Sequence, residues 1–207
     1  YATLFLSGDA MKHAKKAVEL SPSTSFYHYQ LGLTSEAAGD VDAALLSYAR
    51  AAELDKKSVD SRVNMGRLYL ESGFVDKALP ILEEAYRINP KSLEANNNLA
   101  NAYGQKSLTD KSIFHYEAAL VLSPRDATIR MNLAAAYVKS GNFQKARDTY
   151  IEILKLEPSS WEAMYELGKT YVSLGSATDA RRVLSELLAK QPGFRARAEV
   201  EAILGGL

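Results

Sequence analysis

Three histidines, His13, His28 and His115, are the side chains of this sequence best suited to proton transfer or metal binding. They lie far apart, and none has a second histidine at the spacing of a metal site such as the HExxH motif. A phosphate-binding glycine loop and the GxSxG motif of a serine nucleophile are also absent. The sequence has no cysteine, so it offers neither a thiolate zinc site nor a cysteine nucleophile. We therefore predict a non-enzymatic protein without a metal or a cofactor.

The overall charge points away from a partner that is bound mainly by opposite charge. The 207 residues include 25 Lys and Arg and 25 Asp and Glu, so the formal net charge is zero. This balance argues against nucleic acid as the partner. No apolar run approaches the roughly 20 residues of a membrane-spanning helix, so no transmembrane segment is expected. The compartment stays open, either the cytoplasm or, if a signal peptide was removed, the periplasm or the exterior.

A fixed interval of 34 residues runs through the sequence. It separates four prolines and, independently, four tyrosines: Pro90, Pro124, Pro158 and Pro192, and Tyr69, Tyr103, Tyr137 and Tyr171. Pro22 and Tyr1 lie two intervals before the first member of each series. A period of this length indicates stacked supersecondary units that bury their apolar faces against one another.

Five frames at 25–58, 59–92, 93–126, 127–160 and 161–194 place similar residues at equal positions. Position 8 is always Gly or Ala, and position 20 is Ala or Ser, so two helices of each frame can approach closely. Position 15 is Gly in four of the frames and suits a tight turn at a helix end. Asp40, Asn142 and Ser176 then provide N-caps for a second helix, which ends near the periodic proline. Each frame therefore predicts helix, turn, helix, turn.

This pattern resembles the tetratricopeptide repeat over nearly the whole chain, for example in YHYQLGLTSEAAGDVDAALLSYARAAEL, which begins at Tyr27. The resemblance implies an all-α, right-handed α-solenoid that forms a single domain over 1–207. In that organisation 1–24 is a partial repeat, the five frames are full repeats and 195–207 is a C-terminal capping helix with Ala198, Val200, Ile203 and Leu204 on its apolar side. One departure is position 4, where the family has an aromatic residue and this chain does not.

Two features do not follow the period. Pro80 falls within a predicted second helix, where it removes a hydrogen bond and clashes with the preceding turn, so we expect a kink. Residues 1–24 are irregular, because Gly8-Asp9 is displaced from the expected turn and Tyr1 falls in the middle of a first helix. An incomplete repeat leaves apolar surface uncovered, so we expect either more protein before Tyr1 or a second chain that covers this end.

In tetratricopeptide repeat proteins the first helices form a concave groove that holds an extended peptide or a partner helix. The resemblance therefore implies a protein-interaction scaffold and assigns these groove residues: Phe26, Tyr29, Asn64, Arg67, Asn97, Asn98, Asn101, Asn132, Lys139, Glu162, Tyr165, Glu166 and Lys169. Asn64, Asn98 and Asn132 occupy position 6 of successive frames. An amide both donates and accepts, so this row suits a peptide backbone, although solvated consensus residues explain it equally well.

The inward positions also predict the charge of the partner. They carry six acids and three bases: Glu36, Asp60, Glu71, Glu94, Glu162 and Glu166, and Arg67, Lys139 and Lys169. The resulting charge of −3 favours a neutral to basic protein segment. The cations of the carboxylate clamp that grips chaperone C-termini are missing from every window of three repeats. Two alternatives remain, a self-associating structural unit of an assembly, for instance in a bacterial envelope, and the targeting region of a larger enzyme.

Overall fold

The computed structural model describes the backbone of residues 2–207 and the side chains from residue 9 onward. Within that part the chain is all-α and forms twelve helices without a strand: α1 (Ala2–Leu20), α2 (Ser25–Ala37), α3 (Val41–Leu54), α4 (Val59–Glu71), α5 (Val75–Ile88), α6 (Leu93–Gln105), α7 (Thr109–Leu122), α8 (Ala127–Lys139), α9 (Phe143–Leu156), α10 (Trp161–Ser173), α11 (Ala177–Lys190) and α12 (Arg197–Gly206). This confirms the predicted fold class. Tyr1 lies outside the described residues.

Capping side chains set the register of the helices. Asp40 accepts a hydrogen bond from the Ala43 N–H at 3.0 Å, and Asn142 accepts one from the Lys145 N–H at 3.3 Å, as expected of N-caps. Ser176 stands at the N-cap of α11 but makes no capping hydrogen bond through its side chain. The first helices have caps that we did not predict, among them Ser92, which accepts from the Ala95 N–H at 3.1 Å.

Small residues at position 8 allow the two helices of a frame to touch. A Cβ added to Gly66 would lie 2.4 Å from the side chain of Leu82, and one added to Gly32 would lie 2.5 Å from the Tyr48 ring. Leu82 and Tyr48 are fully buried, so neither can move aside freely. In these two frames the close approach of the paired helices therefore depends on a glycine at position 8.

Polar residues at position 4 tie three of the first helices, α2, α6 and α8, to the loops that precede them. The ring of His28 hydrogen-bonds the Pro22 carbonyl at 2.8 Å, and the amide of Asn96 donates to the Pro90 carbonyl at 2.9 Å. Arg130 donates to the equivalent carbonyl, that of Pro124. The departure from the family's aromatic residue thus replaces an apolar contact by a hydrogen bond to a loop carbonyl, and the helix pairs are retained.

Internal contacts divide the chain into two compact units, unit 1 at 1–106 and unit 2 at 107–207. The division falls within the frame 93–126, between α6 and α7. Unit 1 thus holds three of the first helices, α2, α4 and α6. Unit 2 holds α8 and α10, followed by α12. The single solenoid over 1–207 stays a prediction.

The irregular segments take simple forms. Residues Ala2–Leu20 make one continuous helix through Gly8-Asp9, where the sequence suggested a displaced turn. A glycine within a helix costs only about 1 kcal/mol relative to alanine, which the flanking helix formers offset. Pro80 lies within α5, which continues to Ile88. In α12 only Val200 is fully buried, and Ala198 is exposed rather than on the apolar side.

Replacing Ser107 by glycine is expected to raise the free energy of unfolding by about 0.5–1 kcal/mol. Ser107 has a φ of 58°, and no other described residue except glycine has a positive φ. Four glycines occupy the same position in the other frames, with φ between 72° and 79°: Gly39, Gly73, Gly141 and Gly175. Glycine adopts this conformation without the steric cost that serine carries, and the higher entropy of its unfolded chain offsets only part of the gain.

Urea denaturation measures this change. Ser72→Gly is the matched control, because Ser72 lies at a helix end with a φ of −84°, where serine is unstrained. We expect that substitution to reduce stability. Equal effects at the two positions would contradict the assigned backbone strain at Ser107.

Candidate functional site

The predicted binding residues of unit 1 lie on three helices, α2, α4 and α6. We call this surface the first-helix face and define it by six residues: Phe26 and Tyr29 on α2, Asp60 and Asn64 on α4, and Glu94 and Asn98 on α6. Asn64 donates a hydrogen bond to the Tyr29 hydroxyl at 3.4 Å. This contact joins α2 and α4, so the predicted residues of these two helices do come together.

Tyr29 lies on α2, at the N-terminal end of this face. Its ring packs against Tyr48 with the centroids 5.7 Å apart. Burial raises the pKa of the Tyr29 hydroxyl, the negative charge of Asp60 raises it further, and the hydrogen bond from Asn64 lowers it. The influence of Asp60 on Tyr29 means that a carboxylate and an aromatic ring share the N-terminal end of the face.

Arg67 is occupied by contacts within unit 1. Its guanidinium forms ion pairs with Glu36 at 2.5 Å and with Glu71 at 2.8 Å. Glu36 also accepts a hydrogen bond from the Tyr48 hydroxyl at 2.9 Å. The predicted binding residue Arg67 thus links α2 to α4, and its positive charge is balanced by two carboxylates.

The amides of α6 differ from one another in their environments. Asn98 is only 7% exposed, yet no residue with a described side chain hydrogen-bonds its amide. Asn97 is half-buried, and its Oδ1 atom is buried without a hydrogen-bond partner in the described part of the chain. Asn101 is half-buried as well. Buried amides are normally paired, so Asn97 and Asn98 retain hydrogen-bonding capacity that the fold does not use.

In unit 2 the C-terminal segment contacts two of the predicted binding residues. Tyr165 is 6% exposed and packs against Phe194 with the centroids 5.5 Å apart, and burial together with the nearby Glu199 carboxylate raises the pKa of its hydroxyl. Glu162 forms an ion pair with Arg195 at 2.9 Å. Sequence reasoning missed these contacts, although the predicted capping helix was a signal that residues after Pro192 would pack on α10.

The remaining predicted residues of unit 2 have local contacts. Glu166 and Lys169 pair with each other at 3.3 Å, and the Lys169 ammonium lies 4.7 Å from the centre of the Tyr165 ring. Lys139 is exposed and donates to the Ser107 hydroxyl at 3.2 Å. Asn132 is half-buried and lines a cleft of 280 Å³. Unit 2 thus combines one amide in a cleft with charges that are mostly paired.

The structure offers little for catalysis. Among the described residues no three His, Asp or Glu side chains lie where they could hold a metal ion. His28 binds a loop carbonyl, His115 is buried in α7, and His13 is exposed on α1. Within the same part of the chain, no helix combines the length and the apolar character needed to cross a membrane.

Comparison with known proteins places this geometry in context. A family model described as Tetratricopeptide repeat matches residues 63–127, 109–150 and 131–193. Together the three matches span 63–193, which is more than half of the chain. A search of curated protein sequences found no match.

Solved structures with a similar fold include three proteins of comparable size. YrrB, described as a TPR protein with an unusual peptide-binding site, has a TM-score of 0.85 at 18% identity and covers 93% of this chain and 100% of its own. PilF of Pseudomonas aeruginosa has a TM-score of 0.78 at 19% identity, with 98% and 92% covered. MamA has a TM-score of 0.77 at 21% identity, with 86% and 96% covered. At these identities the similarity concerns the fold.

Proposed function

The chain belongs to the tetratricopeptide repeat family, and from this premise we propose that it is a non-enzymatic interaction module that binds a segment of a partner protein on the first-helix face. Tetratricopeptide repeats generally mediate protein–protein interactions, and YrrB, which has a similar fold, has a peptide-binding site. The proposed partner is a neutral to basic peptide or helix, with no role for nucleic acid.

The observation that carries this proposal is the unpaired amide of Asn98. Asn98 is 7% exposed and no described side chain hydrogen-bonds its amide, so the donor and the acceptor of that amide are available to a ligand. A peptide backbone that passes over α6 would supply both a donor and an acceptor. Asn98 therefore makes better physical sense in a bound state than in the free protein. Asn64 occupies the same position of the previous frame, so the row of amides continues from Asn98 to Asn64, which contacts Tyr29.

Replacing Asn64 and Asn98 together by alanine is expected to weaken peptide binding about tenfold or more. The loss of one hydrogen bond at each position accounts for this magnitude. Short random peptides displayed on phage are first selected against the purified 207-residue chain. The enriched peptides are then synthesised with a fluorescent label, and anisotropy titrations measure their affinity for wild type and variant.

The controls separate binding from folding. Asn98→Ala alone is expected to leave the free energy of unfolding unchanged or higher, because it removes an amide without a partner. Gln144→Ala, which removes an exposed amide on α9 outside the first-helix face, should leave peptide affinity unchanged. Asn132→Ala tests the third amide of the predicted row within unit 2. Wild-type affinity in the Asn64→Ala/Asn98→Ala variant would refute the amide row as a binding element.

A second candidate function, self-association, is supported by apolar side chains exposed on the second helices. Leu46 on α3 is 74% exposed and Val121 on α7 is 80% exposed. In unit 1 the ring of Pro80 lines a neighbouring cleft of 370 Å³ with Ala49 and Ile81. Light scattering over a concentration series tests this candidate. A monomer at all concentrations argues against it, whereas concentration-dependent dimers that Leu46→Gln abolishes would support it.

A further inference from the structure

We propose that the first-helix face selects partner segments that carry a lysine or arginine, and that this cation binds at a row formed by Phe26, Asp60 and Glu94. This inference rests on the proposed function and specifies its partner. The three residues are the second residues of α2, α4 and α6, so they lie at the same end of three successive first helices. We call them the acidic row.

The negative charge expected for the whole set of inward positions belongs to unit 1. Of the six acids, four lie in unit 1, together with one base: Glu36, Asp60, Glu71 and Glu94, with Arg67. Their sum is −3. Unit 2 contributes two acids and two bases, so its inward positions are neutral. Any selection for a basic partner must therefore come from unit 1.

Within unit 1 the ion pairs leave the acidic row without a cation. Arg67 is held by Glu36 and Glu71 at the opposite end of the face, where the charges largely balance. Among the residues whose side chains are described, no lysine or arginine pairs with Asp60 or Glu94. Glu94 accepts only a hydrogen bond from the Ser92 hydroxyl at 3.3 Å. The two carboxylates are therefore available to a cation from outside.

A helix N-terminus stabilises a nearby carboxylate by about 0.3–1 kcal/mol, and this accounts for an acid at the second residue of a helix. This stabilisation does not explain why Asp60 and Glu94 lack a cationic partner among the described side chains, or why the equivalent residue of α2 is an exposed aromatic. Glu162 stands at the same position of α10 and has a cationic partner in Arg195. Phe26, which occupies this position in α2, is 60% exposed. The exposed ring of Phe26 lies at the α2 end of the row and offers apolar contact surface to the bound segment.

The unpaired amide of Asn98 independently indicates a ligand at this place. Asn98 follows Glu94 by four residues, which is one helical turn, and so lies on the same side of α6. It is more than nine-tenths buried and has no hydrogen-bond partner among the described side chains. A peptide backbone bound at Asn98 would carry a neighbouring side chain past Glu94. A lysine or arginine at that place gains an ion pair with Glu94.

The experiment uses the peptide selection against the full chain, repeated with Asp60→Asn/Glu94→Gln. Wild type is expected to enrich lysine or arginine at one fixed position of the selected peptides, and the amide variant is expected to lose that preference. Changing the enriched cation to glutamine in a synthetic peptide should weaken binding to wild type about tenfold. Asp42→Asn/Glu53→Gln, the same change on α3, is the matched control and should keep the preference.

Charge reversal provides a second test that a purely structural role cannot satisfy. Asp60→Lys/Glu94→Lys, checked for folding by circular dichroism, should switch the enriched residue to aspartate or glutamate. Peptides that depend on Asn64 and Asn98 but show no basic preference would overturn the acidic row while the proposed function stands. A selection that enriches no peptide on wild type would overturn both.

Discussion

Replacing Gly66 by alanine is expected to lower the free energy of unfolding by about 1–3 kcal/mol, although alanine is the better helix former. The new Cβ would lie 2.4 Å from two carbon atoms of the Leu82 side chain, well inside van der Waals contact. Leu82 is fully buried between helices, so it relieves the overlap only by disturbing its neighbours. The steric cost therefore exceeds the gain in helix propensity, and urea denaturation gives the difference directly.

Two comparisons make the cause of this loss testable. Gly205→Ala, in α12, meets no atom within 4 Å, so its stability should be unchanged or higher. Leu82→Ala alone should cost about 2–5 kcal/mol through the cavity that it leaves. In the double variant the methyl group introduced by Gly66→Ala fills part of that cavity. The combined loss should therefore fall short of the sum by at least about 0.5 kcal/mol, and strict additivity would contradict the contact.

Raising the pH from 10 to 12 is expected to unfold the protein. Burial raises the pKa of Tyr116 to about 12, and burial together with a hydrogen bond to Glu83 raises the pKa of Tyr103 to about 12. Burial is also the main cause of a raised pKa at five further tyrosines: Tyr29, Tyr48, Tyr137, Tyr150 and Tyr165. In the unfolded chain tyrosine titrates near pH 10.

The sign follows from which state binds more protons. Below pH 10 both states keep the phenolic protons, and stability is complete. Between pH 10 and 12 the unfolded chain loses them while the folded protein retains them, so each such tyrosine removes up to about 1.4 kcal/mol per pH unit. With several tyrosines acting together, the free energy of unfolding reaches zero within this interval. Circular dichroism and tyrosinate absorbance should change together.

Tyr116→Phe tests this linkage at one residue. The variant keeps the ring and removes the titrating hydroxyl, so the loss of stability between pH 10 and 12 should shrink by about 2–3 kcal/mol relative to wild type. Measuring both proteins at neutral pH isolates any cost of the substitution that does not depend on pH. An alkaline loss as large as that of wild type would show that Tyr116 does not contribute.

The helical architecture was predictable because its determinants are local. The small residue at position 8, the glycine at position 15 and the caps at Asp40 and Asn142 act within a few residues or between two helices joined by a three-residue turn. The course of α1 was less predictable. There the displaced Gly8-Asp9 pair suggested a turn, but a single glycine disfavours a helix too weakly to end it.

The binding surface was predictable only in part. The sequence identified the positions that carry Asn64 and Asn98 and the excess of acids over bases. It did not reveal that Tyr165 is covered by Phe194, that Glu162 is paired with Arg195, or that Asn98 lacks a hydrogen-bond partner among the described side chains. Those properties depend on the distances between side chains of different helices. The spacing of residues along one helix does not determine such distances.

By itself, then, the sequence determined the all-α repeat architecture, because a period of 34 residues repeats the same local signals in each frame. Only the tertiary structure decided which charges are balanced. It holds Arg67 between Glu36 and Glu71 and pairs Glu162 with Arg195, and among the described side chains it leaves Asp60 and Glu94 without a cation. The physical reason is that an ion pair requires a separation of a few ångströms, and packing between helices sets that distance.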